Sequence, residues 1–82
     1  MTREVIAKIK EQFPNIMYCI ENLRKDYKND SLNKDAVRNE SYGYTKGLHD
    51  AGLITERERQ VLFIYTTIWE VIWYVGKTIY KI

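Results

Sequence analysis

The residue types that could take part in chemistry are concentrated in one segment, SYGYTKGLHDAGLITERE, which runs from Ser41 to Glu58. It contains the only histidine of the chain, His49, next to Asp50. A histidine can act as a general base, but no serine or cysteine is spaced to be activated by it, and on a helix Asp50 points about 100° away. His49 and the single cysteine, Cys19, also lack the spacing of a metal site. We therefore expect no catalytic residue, no cofactor and no metal.

The composition indicates one small folded domain. Hydrophobic residues make up 45% of the 82 residues, which separates the chain from the disordered class. The net charge is +2, and the 13 basic and 11 acidic residues are interleaved, so a concentrated phosphate-binding patch is not favoured. The single cysteine fits a reducing compartment, and charges interrupt the N-terminal segment where a signal peptide would be apolar. We expect a single cytoplasmic domain, residues 1–82, that a partner chain would stabilise further.

The first helix is predicted from apolar residues that recur at alternating steps of three and four. These residues are Ile6, Ile9, Phe13, Ile16, Ile20, Leu23 and Tyr27. Pro14 lies inside this stripe, and proline removes a helical hydrogen bond and clashes with the carbonyl four residues earlier. Because the stripe keeps its phase through the proline, we predict one helix over about residues 3–29, kinked at Pro14. The alternative is a break at Phe13.

The second helix, over about residues 33–51, is predicted from residues that share one face. These residues are Val37, Ser41, Tyr44, Leu48 and Ala51. Gly52 follows, and a glycine in this position ends a helix in the left-handed conformation, with Leu53 expected to pack back on the last turn. Thr55 and Glu58 have the spacing of a capping box, which predicts that a third helix begins here.

The third helix is predicted over about residues 56–80 by two apolar stripes. The first stripe contains Val61, Tyr65, Ile68, Ile72, Val75, Ile79 and Ile82. The second, about 100° away on the helix, contains Leu62, Trp69, Trp73 and Tyr80. Two stripes are typical of a central helix flanked by both others, and the tryptophans are also suited to contact a partner. The sequence therefore predicts an all-α fold, a compact three-helix bundle, and leaves self-association open.

Two alternatives for the C-terminal segment stay open. Its β-branched and aromatic residues also suit strands, with a hairpin at Gly76 and Lys77. Its apolar run also suggests a membrane span. The run has about 15 residues where a span needs about 20, however, and Glu70 lies in its middle. The sustained three–four spacing and the capping box favour the helix.

Gly43 and Gly47 lie four residues apart in the second helix, with Ala36 and Ala51 nearby. Each glycine inside a helix costs about 1 kcal/mol relative to alanine, so a compensating contact is expected. We predict close packing of this face on the third helix. Close approach of another molecule is the alternative.

A polar strip flanks the core face of the second helix and consists of Arg38, Tyr42, Thr45 and His49. It is either a solvated edge or a surface that forms hydrogen bonds with a partner. Arg57 and Arg59 lie near the start of the third helix, where the helix dipole disfavours cations and the acidic Glu56 and Glu58 offset them. They are either ordinary surface charges or candidates for binding an acidic group. The candidate partner-binding residues are Arg38, Tyr42, Lys46, His49, Arg57, Arg59, Trp69 and Trp73.

The segment GYTKGLHDAGLITERERQVLFIYTT, from Gly43 to Thr67, resembles a recurrent piece of small uncharacterised helical proteins of phages and mobile elements of Gram-positive bacteria. The resemblance covers about a third of the chain and brings no catalytic motif with it. It implies a context in which short proteins often bind a host protein, including inhibitors of CRISPR and of other defences.

The leading functional hypothesis is a non-enzymatic, cytoplasmic interaction protein. It would bind and occlude a host protein or ribonucleoprotein, as an anti-CRISPR or other anti-defence inhibitor, and a homodimer stays open. The alternative is a small nucleic-acid-binding regulator that uses Arg38, Lys46, Arg57 and Arg59, whose binding would weaken steeply with salt. A membrane-associated peptide is the third hypothesis, and an enzyme is the least supported class.

Overall fold

The computed structural model describes residues 2–29 and 33–67, and every regular element in these ranges is an α-helix. The helices are α1 (Thr2–Gln12), α2 (Pro14–Asn29), α3 (Lys34–Asp50) and α4 (Glu56–Thr67). The all-α class is confirmed, whereas the predicted number of three helices is wrong. The part of the prediction beyond Thr67, including Trp69, Trp73 and the hairpin and membrane alternatives, lies outside the described residues.

The first predicted helix is divided at Phe13 and is not one kinked helix. Proline has no N–H and disfavours the helical conformation of the residue before it, so α1 stops at Gln12. The Phe13 N–H still donates to the Ile9 carbonyl at 2.7 Å, and the Phe13 carbonyl accepts from the Met17 N–H at 3.0 Å. Pro14 is the first residue of α2, where its missing N–H costs nothing. The three–four spacing of the apolar residues continues across Pro14 because α1 and α2 both face the same core.

The core is formed where α4 meets the other helices. Its buried cluster consists of Ile9, Met17, Ile20, Ile54 and Leu62. In α4 Leu62 is completely buried, while Val61 and Tyr65 are only partly buried. Within the described ranges, the second predicted stripe therefore faces the core more directly than the first. Because α4 contacts α1, α2 and α3, residues on several of its sides are covered.

The corner between α3 and α4 has the two terminal motifs that the sequence predicted. Gly52 has φ of 76°, its N–H donates to the His49 carbonyl at 2.9 Å, and the Leu53 N–H donates to the Leu48 carbonyl at 3.0 Å. These two bonds form a Schellman motif, which satisfies the last carbonyls of α3. Leu53 is 46% exposed, and its packing on the last turn of α3 stays a prediction. Ile54, one residue further, is buried instead and fixes the chain to the core.

The capping box that opens α4 is also present. The Thr55 N–H donates to Glu58 Oε1 at 2.8 Å, and the Glu58 N–H donates to Thr55 Oγ1 at 3.1 Å. Each bond satisfies a backbone donor that the first turn of a helix leaves free. Together with the preceding glycine turn, this box sets where α3 ends and α4 begins.

The buried surfaces of α3 and α4 contain four hydroxyl side chains. These residues are Ser41, Thr45, Thr66 and Thr67. Each hydroxyl donates to the carbonyl four residues earlier in its own helix, at 2.8 to 2.9 Å. This satisfies the buried oxygens locally, so each residue packs as a small side chain.

Thr45 is completely buried on α3, one turn after Ser41, so it is a core residue. Its predicted place in the exposed polar strip is wrong. Ala51, predicted on the core face, is exposed because α3 has already ended.

Polar side chains also connect the helices. Lys8 of α1 donates to Glu58 Oε2 at 2.8 Å, and the Tyr65 hydroxyl donates to Glu21 of α2 at 2.5 Å. The Arg24 guanidinium lies over the Tyr65 ring, 3.8 Å from its centroid. These contacts connect α1 and α2 to α4. In the two described ranges, no helix is long and apolar enough to cross a membrane.

Candidate functional site

An aromatic pair, exposed Tyr42 and partly buried Phe63, connects α3 to α4. The rings of Tyr42 and Phe63 meet edge to face, with centroids 6.0 Å apart and planes at 88°. The Arg59 guanidinium lies over the Tyr42 ring at 5.7 Å. Tyr42 nevertheless remains 49% exposed. Two neighbours therefore support a side chain that is half open to solvent.

The carboxylate of Glu56 holds Arg59 in this position. Arg59 Nε donates to both carboxylate oxygens at 3.0 Å, and Arg59 Nη2 donates to Oε1 at 2.6 Å. The amide of Gln60 adds a weaker contact at 3.4 Å. The hydrogen bonds from Arg59 lower the pKa of Glu56, and the same bonds raise the pKa of Arg59. A forked arginine–carboxylate pair of this kind fixes the direction of the guanidinium as well as its charge.

His49 continues this arrangement toward the corner. Its Nε2 lies 3.7 Å from Glu56 Oε2, and its Nδ1 lies 3.6 Å from Asp50 Oδ1. Asp50 is therefore closer to the imidazole than the helix geometry alone suggested. Both distances are too long for hydrogen bonds, so neither carboxylate fixes the orientation of the ring in this structure. Among the residues in 2–29 and 33–67, no group of three acidic, histidine or cysteine side chains could hold a metal ion.

The other predicted basic residues differ in their surroundings. Arg38 turns toward α2: its Nη2 donates to the Tyr27 hydroxyl at 3.0 Å, and its Nη1 pairs with Asp35 at 3.2 Å. The hydrogen bond to Tyr27 is the main cause that raises the pKa of Arg38. Lys46 is exposed and lies one helical turn beyond Tyr42, while Arg57 is exposed near the start of α4. The structure therefore brings Tyr42, His49 and Arg59 together and directs Arg38 elsewhere.

We define the Tyr42 surface as the exposed flank formed by α3 and α4 that contains Tyr42, Lys46, His49, Glu56, Arg59 and Phe63. Sequence reasoning missed Glu56 and Phe63, which are not among its candidate partner-binding residues. The signal was available in their spacing. Glu56, Arg59 and Phe63 are separated by three and four residues, so they share one side of α4, and a short corner makes α3 its neighbour.

The glycine face of α3 does not pack as predicted. Gly43 and Gly47 are exposed, and a Cβ placed on either would meet no atom of another described residue within 4 Å. The close packing expected against the third helix is therefore wrong for the described part of α4. The reason is rotational, because α3 meets α4 through Tyr42, whose ring contacts Phe63, while the glycines face solvent.

Comparison with known proteins gave no match to a family model, to a curated protein or to a solved structure.

Proposed function

We propose that this protein is a non-enzymatic interaction module that binds a macromolecular partner through the Tyr42 surface. One observation carries the proposal: Tyr42 is half exposed, yet Phe63 and Arg59 support its ring from two directions. Tyrosine and arginine are the residue types that most often dominate the free energy of protein interfaces.

The support around Tyr42 matters because binding costs conformational entropy. A side chain that is already held loses little freedom when a partner covers it. Arg59 is held by Glu56, and Tyr42 is held by Arg59 and Phe63, so the charged and aromatic groups of this surface are arranged before any partner arrives. Such preorganised aromatic contacts favour recognition of a partner and provide no group that would transform one.

The biological setting that we propose comes from the resemblance of Gly43 to Thr67 to small proteins of phages and mobile elements. In that setting the partner is a host protein or ribonucleoprotein in the cytoplasm, and binding occludes it. An inhibitor of CRISPR or of another defence is the specific form of this proposal. A second copy of the chain is a competing occupant of the same surface.

The charge pattern favours a protein partner over nucleic acid. Of the four basic residues that a nucleic-acid hypothesis uses, Arg38 is paired with Asp35 and Arg59 is paired with Glu56. Binding to a phosphate backbone depends on several cations that release counterions together. A carboxylate beside the cation weakens that contribution, so the Tyr42 surface is poorly suited to nucleic acid.

The test is affinity capture from a lysate of the native host, followed by mass spectrometry, with three baits. They are the wild-type chain, Tyr42→Ala and the control Tyr18→Ala, which removes an even more exposed tyrosine from α2. We expect one partner that the wild type and Tyr18→Ala capture and that Tyr42→Ala loses. Circular dichroism of each bait checks the fold. Equal capture by all three baits would contradict the proposal.

The anti-defence form of the proposal has its own experiment. The chain is expressed in cells with an active CRISPR system and challenged with a targeted phage. We expect plaque formation to be restored by the wild type and by Tyr18→Ala but not by Tyr42→Ala. Unchanged plaque formation with every variant would remove CRISPR inhibition and leave binding to another host factor.

A further inference from the structure

We propose that a second copy of this chain binds the outer face of α3, in an antiparallel twofold pair in which Lys46 of each copy meets Asp50 of the other. The outer face of α3 consists of Gly43, Lys46, Gly47 and Asp50, all of which are exposed. With 3.6 residues per turn they fall within an arc of about 100°, next to the flank that presents Tyr42. The inference goes beyond the proposed function, because it concerns a different occupant and an adjoining face.

The outer face of α3 contains two charges of opposite sign that are unmatched within the described part of the chain. Lys46 forms no ion pair there. The Asp50 carboxylate lies 3.6 Å from His49, which is too long for a hydrogen bond.

The two charges are also poorly placed to satisfy each other within one helix. A lysine four residues before an acid is the less favourable order for such a pair, and Lys46 and Asp50 do not come within 4 Å of each other. The last turn of a helix further disfavours an anion such as Asp50. A cation from another molecule would therefore stabilise Asp50, and an anion from another molecule would stabilise Lys46.

A twofold axis satisfies both charges at once. Lys46 and Asp50 lie on the same side of α3, about 6 Å apart along its axis. When two copies of α3 cross in opposite directions at the level of Leu48, midway between the two charges, each Lys46 comes opposite Asp50 of the other copy. This gives two equivalent ion pairs. A partner segment of one charge sign would satisfy only one of the two residues, so the face is complementary to itself.

Gly47 allows the two helices to approach closely at this crossing. It lies one residue from the level of Leu48, so Gly47 of one copy meets Gly47 of the other near the axis. A Cβ placed on Gly43 or Gly47 would meet no atom of another described residue within 4 Å, so the packing of the described chain requires neither glycine. Glycine inside a helix costs stability relative to alanine. Close approach of a second backbone gives these glycines a role and brings the charged groups within contact distance.

The surroundings of the crossing indicate a small interface. The Leu53 N–H donates to the Leu48 carbonyl at 3.0 Å, so Leu53, which is 46% exposed, remains at the end of α3 where the second copy crosses. Glu40, another exposed acid of α3, lies eight residues before Leu48, about 12 Å along the helix axis and outside the crossing. Because the contact is that of two helix ends, we expect a weak dimer and a monomeric chain in dilute solution.

The test is sedimentation equilibrium of the full chain over a series of concentrations at low salt. The samples are the wild type, Lys46→Glu, Asp50→Lys and an equal mixture of these two variants. Each variant alone places like charges opposite each other at two equivalent positions, whereas a mixed pair has opposite charges at both. The controls are Lys25→Glu and Asp26→Lys, which make the same charge changes at exposed positions of α2. Circular dichroism confirms that each form is folded.

We expect the wild type and both controls to dimerise and each α3 charge variant to dimerise at least about tenfold more weakly. The mixture should form a mixed dimer about as strong as that of the wild type. Added salt should weaken the wild-type dimer, because it screens exposed ion pairs. Gly47→Ala should also weaken the dimer, although its Cβ meets open space in the single chain.

Two results would overturn the inference: a wild type that stays monomeric at its highest soluble concentration, or a mixture that associates no better than its components. A dimer that Tyr42→Ala dissociates and Lys46→Glu leaves intact would also overturn it, and would place the second copy on the Tyr42 surface. Capture of a host partner is measured separately, with Tyr42→Ala as the bait variant. Failure of the dimer is therefore distinguishable from failure of the proposed function.

Discussion

The Glu58 carboxylate connects the start of α4 to α1 through Lys8. Its Oε1 accepts the Thr55 N–H at 2.8 Å, and its Oε2 accepts Lys8 Nζ at 2.8 Å. One side chain therefore closes the capping box and fixes a helix that lies about fifty residues earlier in the chain. Because Glu58 is 7% exposed, water contributes little to its solvation, and both contacts are needed to offset its burial.

The first prediction concerns acid stability. The hydrogen bond from Lys8 and then the backbone bond from Thr55 lower the pKa of Glu58 in the folded chain. A lowered folded pKa gives stability that is present above the unfolded value, about 4.3, and is lost as the pH falls through the folded value. We expect the urea midpoint to drop between pH 5 and pH 3, and to drop less in Glu58→Gln. An equal drop in both proteins would show that Glu58 is not the titrating group.

The second prediction isolates the cap from the ion pair. Thr55→Ala removes the hydroxyl that accepts from the Glu58 N–H, and it should lower the free energy of unfolding by about 1 kcal/mol. Thr55→Ser keeps this oxygen and should retain most of the stability. Urea titration of the three proteins gives the comparison. If the serine and alanine variants were equally destabilised, the hydroxyl bond would not be the cause.

The third prediction contrasts two glycines of the same segment. Gly52 has a positive φ of 76°, so Gly52→Ala forces a side chain into a strained conformation and should destabilise the chain by about 1 kcal/mol or more. Gly47 lies inside α3 with open space around it, so Gly47→Ala should stabilise by about 0.5 to 1 kcal/mol. Thermal melts of both variants check the opposite signs. A destabilising Gly47→Ala would mean that this face is covered in solution.

The parts of the structure that followed from the sequence are those determined by local contacts. The Gly52 turn and the Thr55–Glu58 box depend on residues at most five positions apart, and both were predicted correctly. The break at Phe13 could not be decided from the stripe, because two helices facing one core keep the same phase as one helix. The close contact of Tyr42 with Phe63 depends on how α3 and α4 are rotated about their axes. That rotation is set by packing around Leu62, which the apolar pattern of either helix does not specify.

The last prediction concerns alkaline titration. Burial raises the pKa of Tyr65 to about 12, aided by the hydrogen bond to Glu21, and burial with a contact to Cys19 raises the pKa of Tyr44 to about 12. A raised folded pKa gives stability that is present below the unfolded value, about 10, and is lost as the pH rises toward the folded value. Ultraviolet absorbance near 295 nm, a wavelength typical of tyrosinate, should show a second ionisation step above the main one.

The two tyrosines can be separated with phenylalanine variants. Tyr65→Phe and Tyr44→Phe should each reduce the late step. Tyr65→Phe also leaves Glu21 without its hydroxyl donor, so it should lower the free energy of unfolding at pH 7 by about 1 kcal/mol. A single ionisation step near pH 10 in the wild type would contradict the contacts of both side chains. Loss of the late step in Tyr65→Phe alone would instead place the Tyr44 hydroxyl in contact with solvent.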